Sequence, residues 1–252
     1  MNETKFDGKG EIYAQFRPSY PQECVDELFL NLHLTASDVL ADIGAGTGKL
    51  TQMLLDKGNT VYAVEPNADM RKIAEEALSA FPNFISVDGT AEHTALPACS
   101  VACVTAAQAF HWFDRAAFEQ ECRRILRPNG SVVLIWNSRD ESSALVQEND
   151  RINRLYCPNF KGFSGGMRGA QQDGEFADFF SDGVYRTLTF DFPLYFDEQG
   201  FVGRNLSASY APKPTDAAYH DYVAALRALF GKYAANGKVC MPNFTKCYIG
   251  NV

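Results

Sequence analysis

The residues best placed to do chemistry form a turn and a carboxylate. Asp42 stands two positions before Gly44-Ala45-Gly46-Thr47-Gly48, and Glu65 follows Gly44 by 21 residues. Three glycines in five positions allow positive φ and let a ligand lie against bare backbone. A carboxylate at the tip of the next strand can accept hydrogen bonds from both hydroxyls of a ribose. Together these types point to the binding of a nucleoside, with Asp42 and the turn at one end and Glu65 at the other. The spacing departs from two commoner loops. The dinucleotide pattern G-x-G-x-x-G requires glycine where Lys49 stands, and no G-K-[ST] follows for a Walker loop. A second cluster, Gln108-Ala109-Phe110-His111-Trp112-Phe113, holds one histidine among aromatics. The ordinary pKa of histidine suits a base, and a bond to backbone that shapes the turn is the alternative.

The flanking residues show how these groups are positioned. Val39–Ile43 reads as a buried parallel strand, and the apolar spacing of 50–55, with Gly58 as a stop, reads as a helix. Thr60–Val64 is a second strand. A helix over 67–78 aligns Met70, Ile73, Ala74, Ala77 and Leu78. Phe84–Val87 and Val101–Ala107 are further strands, the latter continuous in small apolar residues, as in a strand covered on both faces. Asp114 caps a helix that turns Phe118, Cys122, Ile125 and Leu126 inward. Residues 127–130 (RPNG) make a stop and turn before a fifth strand over 131–136. Strands and helices alternating at this pace predict a parallel, doubly wound α/β sheet.

The pattern loosens on either side. Residues 1–20 interleave Tyr13, Phe16 and Tyr20 with Arg17-Pro18, which suggests a segment that folds over something. Pro21 opens a helix with Val25, Leu28, Phe29 and Leu32 on one face. Residues 142–156 look helical. Residues 162–170 hold four glycines and read as a connector between helices, or as a lid or anion nest. Residues 185–192 alternate like a strand, 215–230 form an amphipathic helix aligning Tyr219, Val223, Leu226 and Phe230, and 245–249 form a last strand. The segments 142–183 and 197–235 are then excursions from one core.

With 252 residues, 46% hydrophobic and 21% charged, the composition is that of a globular protein with a sizeable core. The formal net charge of −8 disfavours nucleic acid as a partner. No apolar run has membrane-spanning length and the start lacks signal-peptide character, so a cytoplasmic location is expected. Seven cysteines without a C-x-x-C read as reduced thiols, and four scattered histidines give no expectation of a metal.

The Asp42–Gly48 turn and Glu65 resemble motifs I and II of the class I S-adenosylmethionine-dependent methyltransferases. The segments R-P-S-Y-P (17–21), A-Q-A-F-H-W-F (107–113) and W-N-S-R (136–139) resemble the small-molecule branch that includes trans-aconitate-methyltransferase-like proteins. The resemblance covers most of the chain. It implies an α/β fold with a doubly wound, mostly parallel seven-stranded Rossmann-like sheet and an inserted helical cap. It further implies a single domain over 1–252, with 1–20 covering the methyl donor and 142–183 and 197–235 capping the substrate.

For the donor S-adenosylmethionine, the resemblance assigns Asp42, Gly44, Ala45 and Gly46 to the amino-acid part, with Asp42 orienting the turn or meeting the ammonium. Glu65 and Pro66 fall at the ribose. Met70 packs on adenine or belongs to the core. Thr90, Ala91 and Glu92 lie at the adenine, Thr90 standing where relatives carry an acid. Gln108 and Ala109 sit at the pocket mouth, and Tyr13 and Arg17 close over the donor. His111 is the catalytic candidate, and Trp112, Trp136, Arg139, Tyr210 and His220 are acceptor-side candidates. The implied activity is methyl transfer to a small organic acceptor: a carboxylate, a hydroxyl or an amine. The competing readings are a nicotinamide oxidoreductase, a non-catalytic donor-binding protein, and a subunit that methylates protein or RNA.

Overall fold

A computed structural model describes residues 18–163 and 175–252. Tyr13, Arg17 and most of the glycine-rich stretch lie outside the described residues. After helix α1 (Gln22–Asn31) come β1 (Val39–Ile43), α2 (Lys49–Leu55), β2 (Thr60–Val64), α3 (Ala68–Leu78), β3 (Phe84–Val87) and β4 (Val101–Ala107). A 3-10 turn (Phe110–Trp112) leads to α4 (Arg115–Ile125) and β5 (Leu126–Arg139). Then follow α5 (Ala144–Tyr156), β6 (Tyr185–Asp191), β7 (Leu194–Phe196), α6 (Glu198–Leu206), α7 (Tyr219–Tyr233), β8 (Val239–Met241) and β9 (Asn243–Gly250).

Seven strands form one sheet in the order β3-β2-β1-β4-β5-β9-β6. β1 to β5 pair in parallel, and β9 runs antiparallel to both neighbours. The expected fold class is the observed one. The turn at 127–130 interrupts β5 as an irregularity, between the pairings Val101–Leu126 and Cys103–Ser131.

Side-chain alternation along the strands divides the core into two layers. Leu40, Val61, Val133 and Ile135 face Cys24, Leu28, Leu50, Leu54 and Leu78 of α1, α2 and α3. Ala41, Val104, Val132, Leu134 and Trp136 face Phe118, Cys122 and Ile125 of α4, together with Phe176, Phe179 and Phe180. Because both faces are covered, the central strands are apolar at nearly every position. A third cluster joins α5, α6 and α7 with the two-stranded β7–β8 sheet, and is centred on Phe201, Tyr222, Leu226 and Val239.

Capping follows elementary rules. The Asn67 side chain accepts from the Met70 N–H, Asp114 from the Ala117 N–H and Asp197 from the Gly200 N–H, each satisfying a donor that the first turn leaves open. On α7 the buried residues are Tyr222, Leu226, Leu229 and Phe230, and Val223 packs partly buried against the same cluster, so Tyr222 and Leu229 take the place expected for Tyr219. Among the described residues no helix is long and apolar enough to cross a membrane.

Candidate functional site

The cleft opens at the carboxyl ends of β1, β4 and β5, the edge where open α/β sheets bind ligands. After Ile43 the chain turns through Gly44, Gly46 and Gly48 at φ +69°, +58° and +81°. The first two glycines do different work. A Cβ on Gly44 would lie 2.6 Å from the Ala109 Cβ, so Gly44 lets the β4 loop pack against the turn. A Cβ on Gly46 would meet nothing within 4 Å, so Gly46 leaves open space in the cleft.

Backbone bonds lock the turn onto the tip of β2. Val64 O accepts from the N–H groups of Gly44 (2.9 Å) and Ala45 (3.1 Å). Glu65 Oε2 accepts from the Gly46 N–H at 2.8 Å and its Oε1 from the Asn67 N–H at 2.9 Å. The carboxylate therefore ties the turn to the start of α3, and each oxygen keeps lone-pair capacity for a ligand. Burial pushes the Glu65 pKa up, opposed by those two N–H bonds. Arg71 fixes the same tip, donating to the Glu65 and Pro66 carbonyls at 2.7 and 3.2 Å and pairing with Asp88.

Asp42 lines the floor of the cleft. It is almost fully buried and accepts from Thr51 Oγ1 at 2.7 Å and Thr105 Oγ1 at 2.9 Å. Burial raises its pKa to about 6, against the two hydroxyl bonds. A carboxylate so desolvated is receptive to a cation arriving in the cleft.

Gln108, at the end of β4, has φ +56°, a left-handed conformation that non-glycine residues rarely hold. Its Nε2 donates to Asn137 O at 3.0 Å. Asn137 Nδ2 donates to Ser19 O at 2.8 Å and its Oδ1 accepts from Thr245 Oγ1. Asn137 thus knits β5, β9 and the chain just before α1 around the cleft, which Tyr20 and Arg204 also line. Strained backbone held by such a network is a common mark of a binding site.

On the far side of Glu65, Thr90 closes a small turn. Its N–H donates to His93 O, and its Oγ1 accepts from the His93 N–H at 3.1 Å. Ala91 is buried, and Glu92 Oε1 accepts from the Asp114 N–H at 2.9 Å. Glu121 anchors this loop to α4. It accepts from the Thr94 N–H at 2.8 Å and from the Arg124 guanidinium, which holds its pKa down at about 2. Met70 is buried on α3.

The structure therefore gathers Asp42, Gly44, Ala45, Gly46 and Gln108 around one cleft, with Glu65 bound to its turn. Ala109 packs beneath it, and Pro66, Met70 and the 90–92 loop follow along the adjoining strand tips. His111 and Trp112 are half-buried, their rings 4.6 Å apart. Arg139 stacks 4.0 Å over the Phe163 ring, and Tyr210 packs edge-on against Phe160 at 4.7 Å.

Two acceptor-side expectations are corrected. Trp136 is fully buried, stacked on Phe176 at 5.2 Å, because strand alternation points it into the aromatic layer. His220 is exposed in the first turn of α7, since helical spacing turns it away from the buried Tyr222. Sequence reasoning did not select Asn137 or Arg204. Asn137 lies within the W-N-S-R segment that could have drawn notice, whereas Arg204 stands in a helix whose relation to the sheet no local pattern reveals.

The family described as "Methyltransferase domain" matches residues 41–134. An uncharacterized methyltransferase of Mycobacterium tuberculosis is 45% identical over 136 residues, 54% of this chain and 53% of the relative. An uncharacterized methyltransferase of Geobacillus thermodenitrificans is 34% identical over 153 residues, 54% of this chain and 70% of the relative. A solved structure from Anaeromyxobacter dehalogenans, presented as a type II methyltransferase, superposes with a TM-score of 0.63. It is 22% identical and covers 94% of this chain and 98% of its own, a likeness of fold. The chain spans about half the length of the first curated relatives it matches.

Proposed function

The chain belongs to the methyltransferase domain family, and from that premise we propose that it transfers a methyl group from S-adenosylmethionine to a small organic acceptor. The observation that carries this reading is the Glu65 carboxylate, held by two backbone N–H groups at the tip of β2, beside a glycine turn that leaves open space. When bound, S-adenosylmethionine supplies a methyl group on a positively charged sulfur.

The residues present fit that donor. Glu65 has lone pairs left for both ribose hydroxyls. Asp42, desolvated and anionic above a pKa of about 6, suits the positive ammonium or sulfonium. The open space at Gly46 admits the amino-acid part beside the turn. The loop over 90–92 and Met70 flank the adenine. Gln108 and Ala109 set the mouth, where Tyr13 and Arg17 would cover the donor, Arg17 meeting its carboxylate.

The chain's part in the reaction is alignment and the exclusion of water. His111 would take a proton from a hydroxyl or ammonium acceptor, and a carboxylate acceptor needs no base. Trp112, Arg139 and Tyr210 would contribute to the acceptor side. The domain reading, one unit over 1–252 with 1–20 as cover and the excursions 142–183 and 197–235 as cap, belongs to the same proposal.

The test is transfer of tritiated methyl from S-adenosylmethionine to a panel of small acids, alcohols and amines, with formation of the demethylated product as readout. Acceptor-dependent product supports the proposal. Binding of the nicotinamide dinucleotide in place of S-adenosylmethionine would overturn it.

A further inference from the structure

We propose that the buried amides of Asn149 and Asn153 on α5, with the Tyr222 hydroxyl on α7, form the acceptor-recognition site, and that it takes a compact, oxygen-rich molecule. The inference rests on the methyl-transfer reading for its use of the word acceptor. Its structural basis is separate. Asn149 and Asn153 are four residues apart, hence on one face of α5. Both are fully buried. Among the described residues, neither Oδ1 nor Nδ2 of Asn149 finds a hydrogen-bond partner, nor does Nδ2 of Asn153. Asn153 Oδ1 accepts from the Tyr222 hydroxyl at 2.7 Å, which orients that amide. An amide withheld from water with no partner is destabilising, and folded chains keep few of them without cause.

These amides lie on the helix that gives Leu145 and Val146 to the α5–α6–α7 hydrophobic cluster, and Arg204, Asn205 and Ser207 are the other buried polar residues of that region. α6 links the cluster to the cleft. Arg204 lines the cleft, and its neighbour Asn205 has a buried Oδ1 without a partner while its Nδ2 donates to Phe201 O. Helix α5 starts five residues after Arg139 ends β5, and Asn149 lies one turn nearer that end than Asn153.

The chemistry of the ligand follows from the donor count. The amide nitrogens of Asn149 and Asn153 present up to four N–H donors against one open carbonyl oxygen. Burial pushes the Tyr222 pKa up, so its hydroxyl keeps its proton. The Arg139 guanidinium acts on Tyr222 with positive charge. Such a site favours accepting oxygens, in a carboxylate or a polyol, and disfavours a cationic amine. A trapped water is the competing occupant.

The experiment uses the full chain and the variants Asn149→Leu and Asn153→Leu, which keep the branched side-chain shape and remove the amides. Three quantities are read: S-adenosylmethionine affinity by titration calorimetry, melting temperature, and demethylated-product formation with hydroxy acids, dicarboxylates, polyols, primary amines and apolar phenols. The expected result is turnover of oxygen-rich members, with carboxylates and polyols resolved as separate arms. In at least one variant KM rises by roughly tenfold or more, as when a buried hydrogen bond to the ligand is lost. Donor affinity stays unchanged. Melting is unchanged or higher in Asn149→Leu, whose amide has no partner among the described residues, and lower in Asn153→Leu, which leaves the Tyr222 hydroxyl without its acceptor. Transfer only to amines or phenols, no transfer to any member, or an unchanged KM in both variants overturns the proposal. Lower melting in Asn149→Leu overturns it too, because it would show that this amide has a structural partner such as water. Failure of the wild-type chain to bind S-adenosylmethionine overturns the methyl-transfer reading and this proposal with it. Intact donor binding with an unchanged KM overturns this proposal alone.

Discussion

Replacing Glu65 separates its structural bonds from the ribose role proposed for it. In the folded chain its carboxylate accepts from the Gly46 and Asn67 N–H groups at 2.8 and 2.9 Å. Bonds to a charged acceptor contribute about 1.5–3 kcal/mol each in general. Here burial opposes them strongly enough to leave the pKa raised, so the net stabilisation is smaller. Glu65→Ala is expected to destabilise by about 1–2 kcal/mol, a melting shift of roughly 2–8 °C for a chain of this size. Loss of the ribose contacts should weaken S-adenosylmethionine and its demethylated product alike, by about 1–3 kcal/mol or roughly 5- to 150-fold. Glu65→Gln keeps one accepting oxygen but turns an NH2 group toward a backbone N–H, so it too should weaken binding. The assay is titration calorimetry on protein shown to be folded, repeated with a 2′-deoxy analogue of the demethylated product. Against that analogue the loss should shrink, because one partner of the carboxylate is missing. An unchanged affinity in folded Glu65→Ala, or an equal loss against both ligands, would refute the ribose assignment.

Other expectations test neighbouring parts of the account. Gly44→Ala forces a Cβ to 2.6 Å from that of Ala109 at φ +69°, and should destabilise by about 2–4 kcal/mol in urea melts. Gly46→Ala bears only the positive-φ strain of about 1–2 kcal/mol and should lose donor affinity instead, so equal effects in both assays would contradict the division of roles. Asp42 binds its proton more tightly folded than unfolded, so its contribution to stability falls as pH rises from about 4 to about 6, by about 3 kcal/mol in all. In Asp42→Asn that part of the pH slope should vanish from urea melts, and in the wild type donor affinity should strengthen as pH rises through about 6. His111→Ala should lower turnover with little change in donor affinity, and full activity would remove the residue from the reaction.

Much of the cleft is legible locally because its parts are short and chemically distinctive. A buried parallel strand is apolar at nearly every position, so Val39–Ile43 and Val101–Ala107 announce themselves, with Asp42 and Thr105 as their polar residues. The glycine turn is marked by conformations only glycine holds easily, and Asp114 is marked by its capping bond. The α5–α7 helices and the β7–β8 pair are harder to read. β7 and β8 have three residues each, too few to display a period, and α6 carries Gly200 and Gly203, which weaken its helical signal. Trp136 shows a further limit. A strand apolar at every position does not say which face a given side chain takes, and here alternation sends it into the aromatic layer. Asn149 and Asn153 read as ordinary polar helix residues until α7 closes over them.

The measurement that bears most directly on the account is a crystal structure with the demethylated donor product. The account predicts both ribose hydroxyls within hydrogen-bond distance of the Glu65 carboxylate, and the amino-acid part over Gly46 beside Asp42. A ligand seated elsewhere, with Glu65 still turned only to the Gly46 and Asn67 N–H groups, would contradict it.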